Sequence, residues 1–410
     1  MRRRPLGALL VVIALVFCAG AQARPQPQHH SSGPQVLAKS WALIDGRTGE
    51  VLTSHAGNER RLIASTTKLM TAYVAMHDLP LKKIVEAQPY EYEYGESVMG
   101  LRAGEKISVR DLLHGLIMLS AGDAANTLAI ASAGSVRKFV AEMNRHAAAL
   151  GLTNTHYANP VGLDQKGNYS SALDLAALTA ELEKDPAFAK IADAREATLT
   201  SLHPKRKIKT INELLEMAPW VTGVKTGHTW KAGYVLVGSG SRQGIRLISV
   251  AIDAPTDETR YSDNLELLEW GFRQYHRKKA LRQGEELADP AIEYSGGELP
   301  LVVGHSLKVA MREGQHAEVE VDAPRTVTGP IPRGARLGTA TVSVAGLRAG
   351  TVPLLASRRV PAAGAFDKAR GFVGENPVTL ALAACAILIA AILLGRSVRR
   401  IRRGKRVEQK

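Results

Sequence analysis

Two unbroken apolar runs sit near the ends of this chain. Between them the hydrophobic rhythm changes from period two to a helical period and back. Ser40-Trp41-Ala42-Leu43-Ile44 reads as a strand. Asp45-Gly46 and Thr48-Gly49 are turn signals, and Val51-Leu52 resumes the strand. Residues 64–78 then carry Leu69, Ala72, Val74 and Met76 at helical spacing. Helical patterns dominate as far as Lys184, over Arg110–Leu119, Asp123–Ser132, Val136–Leu150 and Ala172–Leu182. Strand patterns return at Gly233–Ser239 and Ile245–Ile252, joined by the tight turn Arg242-Gln243-Gly244. Leu265–Tyr275 is a last amphipathic helix. Strands therefore bracket a helical middle. That order predicts an α+β domain over 38–276, with one antiparallel sheet whose first and last strands meet beside a helical lobe.

From 277 to 358 the rhythm changes again. Short runs rich in Val and Leu alternate with Gly and Pro turns: Leu299–Val303, Leu307–Ala310, Ala317–Val321, Thr339–Val344 and Val352–Leu355. Such even spacing predicts a small all-β sandwich, and no catalytic constellation falls within it. Residues 359–377 read as a linker, as do residues 24–37, where Pro, Gln, Ser and Gly dominate.

The apolar ends carry targeting information. Arg2, Arg3 and Arg4 precede an apolar run from Leu6 to Ala19, and Ala21-Gln22-Ala23 is a small-x-small cleavage signature. Residues 1–23 therefore read as a secretory signal peptide. Val378–Leu394 contains no charge, and a dense cluster from Arg396 to Arg406 follows it. The expectation is a transmembrane helix over 378–395 and a basic cytoplasmic tail over 396–410. This topology places the body of the chain on the outer side of the cell membrane.

The ends also explain the formal net charge of +14: the first run of arginines contributes three and residues 396–410 a net seven. Little basic excess remains on the body, so the high pI is no nucleic-acid footprint. The two cysteines, Cys18 and Cys385, both lie in the apolar end segments. The body thus excludes thiol catalysis and cysteine-ligated zinc.

The chemistry centres on Ile63-Ala64-Ser65-Thr66-Thr67-Lys68. Ser65 and Lys68 are three apart at a helix start, which places them on one face. A serine hydroxyl becomes a nucleophile when a neighbour takes its proton. A lysine can be that base once desolvation or a second cation lowers its pKa. Lys225, in Val224-Lys225-Thr226-Gly227-His228, supplies a candidate second cation. Thr226 can hydrogen-bond a substrate carboxylate, and Gly227 leaves room for a peptide along the strand edge. Ser120 sits between two helices and reads either as a proton relay or as the N-cap of the helix beginning near Asp123.

The order S-x-x-K, S-x-x, K-T-G resembles the signature set of penicillin-binding proteins and class A β-lactamases. The flanking text Ala42–Leu52, Leu69–Val74, Asn159–Asp164, Gly223–His228, Gly233-Tyr234 and Trp270–Arg273 narrows it. It is similar to the low-molecular-mass D-alanyl-D-alanine carboxypeptidases with a C-terminal β-domain, over roughly residues 38–358. The resemblance implies a β-lactamase/transpeptidase-like fold and no cofactor or metal. It implies stem peptides of peptidoglycan ending in D-Ala-D-Ala as substrates, and β-lactams as inhibitors. Ser65 would be acylated, Lys68 would be the base and Ser120 would assist proton transfer. Lys225 would orient the site and Thr226 would bind the terminal carboxylate, with Arg246 on the next strand. Ser65 and His228 would supply oxyanion N–H groups.

Two departures stand out. The second motif normally ends in asparagine, where this chain has Gly122; Asn126 or water is the expected partial substitute. Ile63 replaces the usual proline before Ala64. The motifs leave a D,D-endopeptidase open. A β-lactamase lacks support, because no convincing glutamate for deacylation stands out. A catalytically weak cell-wall-binding protein is the rival from another class. The 12 histidines show no spaced ligand set that would favour a zinc carboxypeptidase.

Overall fold

The computed structural model describes residues 33–364 except Tyr94 and Ser295, and further on positions 378, 381, 382, 384–393 and 396. The predicted signal peptide lies outside the described residues, as do most of the linker before Gly33, the residues between 365 and 377, and the tail beyond 396.

The first hairpin is β1 (Ser40–Asp45) and β2 (Val51–His55). A 3-10 turn at Ala64–Thr67 leads into α1 (Lys68–Asp78). The helical lobe adds α2 (Val109–Met118), α3 (Gly122–Ala133), α4 (Val136–Ala149) and α5 (Ala172–Leu182). Strands β3 (Val221–Thr229), β4 (Gly233–Arg242) and β5 (Ile245–Ala254) return before α6 (Asp257–Arg273). The antiparallel sheet runs β2-β1-β5-β4-β3. Its first and last strands meet, with Leu43 opposite Ser249. The β4–β5 turn is short because Gln243 and Gly244 both take positive φ, 53° and 82°, which suits a two-residue hairpin.

Alternation along the strands assigns the two faces of the sheet. Ala42, Ile44, Ile248, Val250 and Ile252 join the main core with the helical lobe. Leu43 and Leu247 point the other way and pack with Leu267, Leu268 and Phe272 of α6. A Cβ on Gly271 would lie 2.7 Å from both Leu43 and Leu247 side chains, so glycine lets α6 sit close to the sheet.

Helix α6 starts eight residues before the predicted Leu265. Its N-terminal half buries polar groups rather than an apolar stripe. Thr256 caps it by accepting the Thr259 N–H at 3.1 Å. Asp263 accepts from the Leu37 and Ala38 N–H groups, and Asn264 accepts from the Ser249 hydroxyl at 2.7 Å. Hydrogen bonds with the sheet and with the segment before it replace the periodicity. They also dock the end of the predicted first linker, where Val36 packs beside the α6 core.

Residues 276–360 form the β region. Five antiparallel strands run Glu286–Ala288, Leu301–Val303, Leu347–Ala356, Arg336–Val344, Ala317–Asp322, with smaller sheets beside them. It has its own core, including Leu281, Leu301, Val342, Val352 and Leu354. The pairing extends past 358, because Ile331 and Val360 exchange backbone hydrogen bonds at 2.9 and 2.8 Å. Arg312 ties this region to the β1–β2 hairpin through an ion pair with Glu50. Beyond 364, positions 378, 381, 382, 384–393 and 396 are helical, but no helix among the described residues is long and apolar enough to cross a membrane.

Candidate active site

A cleft of roughly 410 Å³ opens between the sheet edge and the helical lobe, lined by Ser65, Lys68, Ser120, Thr226, Gly227 and His228 among others. They arrive on separate elements: Ser65 on the 3-10 turn, Lys68 on α1, Ser120 between α2 and α3, and Thr226, Gly227 and His228 together on β3. Ser65 sits in the 3-10 turn, immediately after Ala64, whose φ is 45°. A positive φ at alanine is costly, of order 1–3 kcal/mol, and persists where the surroundings hold it. Here the Thr66 hydroxyl and N–H both bind the Ile63 carbonyl, at 2.6 and 3.1 Å. The Asn159–Asp164 loop presses against the same turn: a Cβ on Gly162 would collide with the Ala64 carbonyl, and φ there is 90°. On the other side Gly227 lies so close that its Cβ would be 3.0 Å from the Ser65 nitrogen. Glycine is required at the Gly162 approach, and at Gly227 a side chain would fit only if the turn gave way.

The three-residue spacing does what the sequence predicts. Lys68 Nζ donates to Ser65 Oγ at 3.0 Å and to the Val161 carbonyl at 2.5 Å. Lys68 is almost fully buried, and burial lowers its pKa from 10.5 to about 8, against the charges of Glu96 and Asp123. Lys225 is fully buried on β3 and donates to the Thr226 carbonyl at 2.8 Å. Its pKa falls well below 10.5, first through burial and then through Lys68 and Arg260. Desolvation and a second cation, Lys225, are the two causes that the sequence offers for a lowered base. In the structure burial is the main cause for both lysines, and repulsion adds to the shift at Lys225.

Ser120 is buried, with φ at 61°. It does not cap the following helix: Ala121 holds the N-cap position of α3 and makes no side-chain cap. A strained serine that lines the cleft and serves no cap fits the relay role. Thr226 is buried at the cleft wall, and His228 stacks on Tyr234 with ring centroids 4.2 Å apart.

Arg246 is not in the cleft. It lies near the turn end of β5, opposite Ser241, whereas Thr226 pairs with Leu236 and Leu236 with Ala251. Five residues of strand, about 16 Å, separate the two levels. Arg246 instead donates to the Glu183 carbonyl at 3.1 Å and approaches its carboxylate at 3.7 Å. Burial pushes that carboxyl up to about 7. The arginine that does line the cleft is Arg260. It enters from α6, donates to the Gly227 carbonyl at 3.2 Å, pairs with Asp257 and stacks over Tyr261 and Tyr234. No local motif marks Arg260, because it reaches β3 from a helix two strands later in the chain. Trp230, 96% exposed on the cleft rim, was equally silent in the sequence.

Asn126 does not replace the missing asparagine side chain. It donates to the Pro89 carbonyl at 3.3 Å and is absent from the cleft lining. Glu96, from the loop before α2, occupies the space beside Gly122.

A nucleophilic serine beside a buried, low-pKa lysine, with a second buried lysine on the sheet edge, defines a serine acyl-enzyme of the penicillin-binding type. The profile of the D-alanyl-D-alanine carboxypeptidase family matches residues 27–256. The chain is 30% identical over 383 residues to the D-alanyl-D-alanine carboxypeptidase DacF of Bacillus subtilis, covering 91% of this chain and 98% of that one. DacC of Escherichia coli is 33% identical over 357 residues, covering 83% and 88%. Among solved structures, penicillin binding protein 5 from Haemophilus influenzae is 29% identical with a TM-score of 0.56, over 80% of this chain and 99% of that chain. Penicillin binding protein 6B from Escherichia coli matches at 29% identity and a TM-score of 0.58, over 79% and 96%. The chain belongs to the D-alanyl-D-alanine carboxypeptidase family.

Proposed function

We infer that Ser65 and Lys68 carry out the family's reaction, hydrolytic release of the terminal D-alanine from peptidoglycan stem peptides. The observation that carries this reading is the 3.0 Å contact between Ser65 Oγ and a buried Lys68 whose pKa is lowered to about 8. Ser65 Oγ attacks the penultimate D-alanine carbonyl as its proton passes to Lys68. The N–H groups of Ser65 and His228 stabilise the oxyanion, an interaction that commonly lowers the barrier by about 3–4 kcal/mol. The proton returns through Ser120 to the departing D-alanine nitrogen. Thr226 and Arg260 hold the terminal carboxylate, with Lys225 behind them. Water then attacks the acyl-ester and regenerates Ser65. A β-lactam enters the same way, but its leaving nitrogen stays tethered.

Mass spectrometry of residues 24–377 mixed with a peptide ending in D-Ala-D-Ala tests this reading. D-alanine loss and a penicillin adduct on Ser65 are the expected results. An unlabelled Ser65 under conditions that label a related carboxypeptidase overturns it.

The enzyme works outside the cytoplasmic membrane, exported by residues 1–23 and tethered by 378–395. The support is the arrangement of charge around two apolar runs. Alkaline extraction of membranes should leave the full chain in the pellet and release a form ending at 377. Release of both removes the tether.

A further inference from the structure

Position 122 lies at the first residue of α3, and a neighbouring loop fills the room that its absent side chain leaves. A Cβ on Gly122 would run into the Glu96 carboxylate and lie 2.8 Å from the Tyr90 hydroxyl. Tyr90 donates to Glu96 Oε1 in a short hydrogen bond, and Oε2 accepts from the Glu93 N–H at 3.3 Å. The loop is pinned to the start of α3. The Gly122 N–H donates to the Ser97 carbonyl at 2.8 Å. The Asp123 carboxylate accepts from the Met99 and Leu101 N–H groups at 3.0 and 2.9 Å. Arg206 adds bonds to the Met99 and Gly100 carbonyls, both at 3.2 Å. Glu96 thereby lines the same cleft as Ser65, Lys68 and Ser120.

We propose that Glu96, held by Tyr90, is a positioning residue that replaces the side chain Gly122 lacks and orients the Lys68 amine during acylation. This rests on the reading of Ser65 and Lys68 as the acylating pair. A carboxylate is an acceptor only. Glu96 therefore cannot donate toward the substrate carbonyl as a carboxamide does, and it acts on Lys68 through its charge, because the amine's hydrogen bonds go to Ser65 Oγ and the Val161 carbonyl. It also adds a negative charge that a carboxamide does not. Lys68 feels Glu96 from the loop and Asp123 from α3, and it interacts with Lys225 on β3; Arg260 of α6 lines the same cleft and Tyr90 bonds Glu96. Glu96 and Asp123 hold the Lys68 proton against the effect of burial.

The test uses four proteins: wild type, Gly122→Asn, Glu96→Ala and the double variant, with Glu96→Gln as an isosteric probe. Penicillin acylation of Ser65 is followed against pH. Glu96→Gln should move the acidic limb of the profile down by about one pH unit, the ordinary effect of losing one nearby opposite charge, with no change in melting temperature. Gly122→Asn alone should slow acylation about tenfold, because Asn and Glu96 compete for one space. Adding Glu96→Ala should recover most of that loss. Such non-additivity is not expected of two independent sites. An unmoved acidic limb, or simple addition of the two single effects, overturns the proposal. So does an effect confined to deacylation, which would place Glu96 on the hydrolytic water. If wild-type Ser65 is never acylated, the carboxypeptidase reading fails instead. The steric part of the proposal is then still decided by melting temperatures: Gly122→Asn must destabilise in the presence of Glu96 and not in its absence.

Discussion

The catalytic part and the β region solve the folding problem in opposite ways. Every buried polar or charged side chain among the described residues lies between Ser40 and Asn264, and Lys68, Lys225, Asp123 and Arg260 are among them. The β region buries Leu, Val, Ile, Ala and Met in a core of its own. Buried charge costs stability unless it is paired or neutralised. A chain that concentrates that cost in one region keeps it there for chemistry, and the other region is free to be a simple apolar support. Positive φ at non-glycine residues occurs on both sides of the divide, at Ala64 and Ser120 in the catalytic part and at Tyr294 and Ala345 in the β region.

The largest test of this division is Ser65→Ala. It should lower D-alanine release and penicillin labelling by a factor on the order of 10³ or more, with an unchanged melting temperature. Retained labelling would move the nucleophile elsewhere.

The converse is Leu354→Ala in the β region. Leu354 is fully buried, so its truncation should destabilise that region by about 2–5 kcal/mol. Acylation of Ser65 at 25 °C should stay within roughly twofold, since Leu354 touches nothing in the cleft. A parallel loss of acylation, measured alongside thermal unfolding, would mean that the two cores are not energetically separate.

A smaller effect comes from pH. Acylation needs neutral Lys68, so its rate should rise about tenfold per unit up to about pH 8 and then level off. The same lysine has a stability signature. Its folded pKa lies below the ordinary 10.5, so between about 8 and 10.5 the unfolded chain binds more protons. Stability should therefore rise with pH in that window, and Lys68→Met should reduce the rise to the part that buried Lys225 contributes. A flat rate profile across pH 6–8 would show that Lys68 is not the titrating base.

The smallest change in stability comes from Ser120→Gly. Relief of the left-handed backbone should stabilise the fold by about 1 kcal/mol, while turnover falls about 10²-fold with loss of the relay. Unchanged turnover would return Ser120 to a structural role.

Much of this was legible along the chain. The helices from α2 to α5 match their periodic segments within a residue at each end; α4 buries one apolar face through Phe139, Met143 and Ala147, whereas α3 is buried all round. The first helix agrees less well: Ala64–Thr67 is a 3-10 turn, imposed by the loops that crowd Ser65. Ser65 and Lys68 were readable because the pair is local, three residues apart in one turn. The approximate strands of the β region were readable because its core is apolar and alternating. The β4–β5 turn was readable because Gln-Gly takes positive φ.

What the sequence determined by itself is therefore what neighbours in the chain decide: the nucleophile beside its base, the helical lobe and the alternating strands. What only the tertiary structure decided involves groups distant in sequence. Arg260 took the place expected of Arg246 because five residues of strand carry Arg246 out of reach. Burial lowered Lys68 because the Val161 loop and β3 close over it. Glu96 filled the gap at Gly122 because a pinned loop carries it 26 positions forward onto α3. Local sequence fixes periodicity and spacing, whereas desolvation and the filling of space depend on every element that converges on a point.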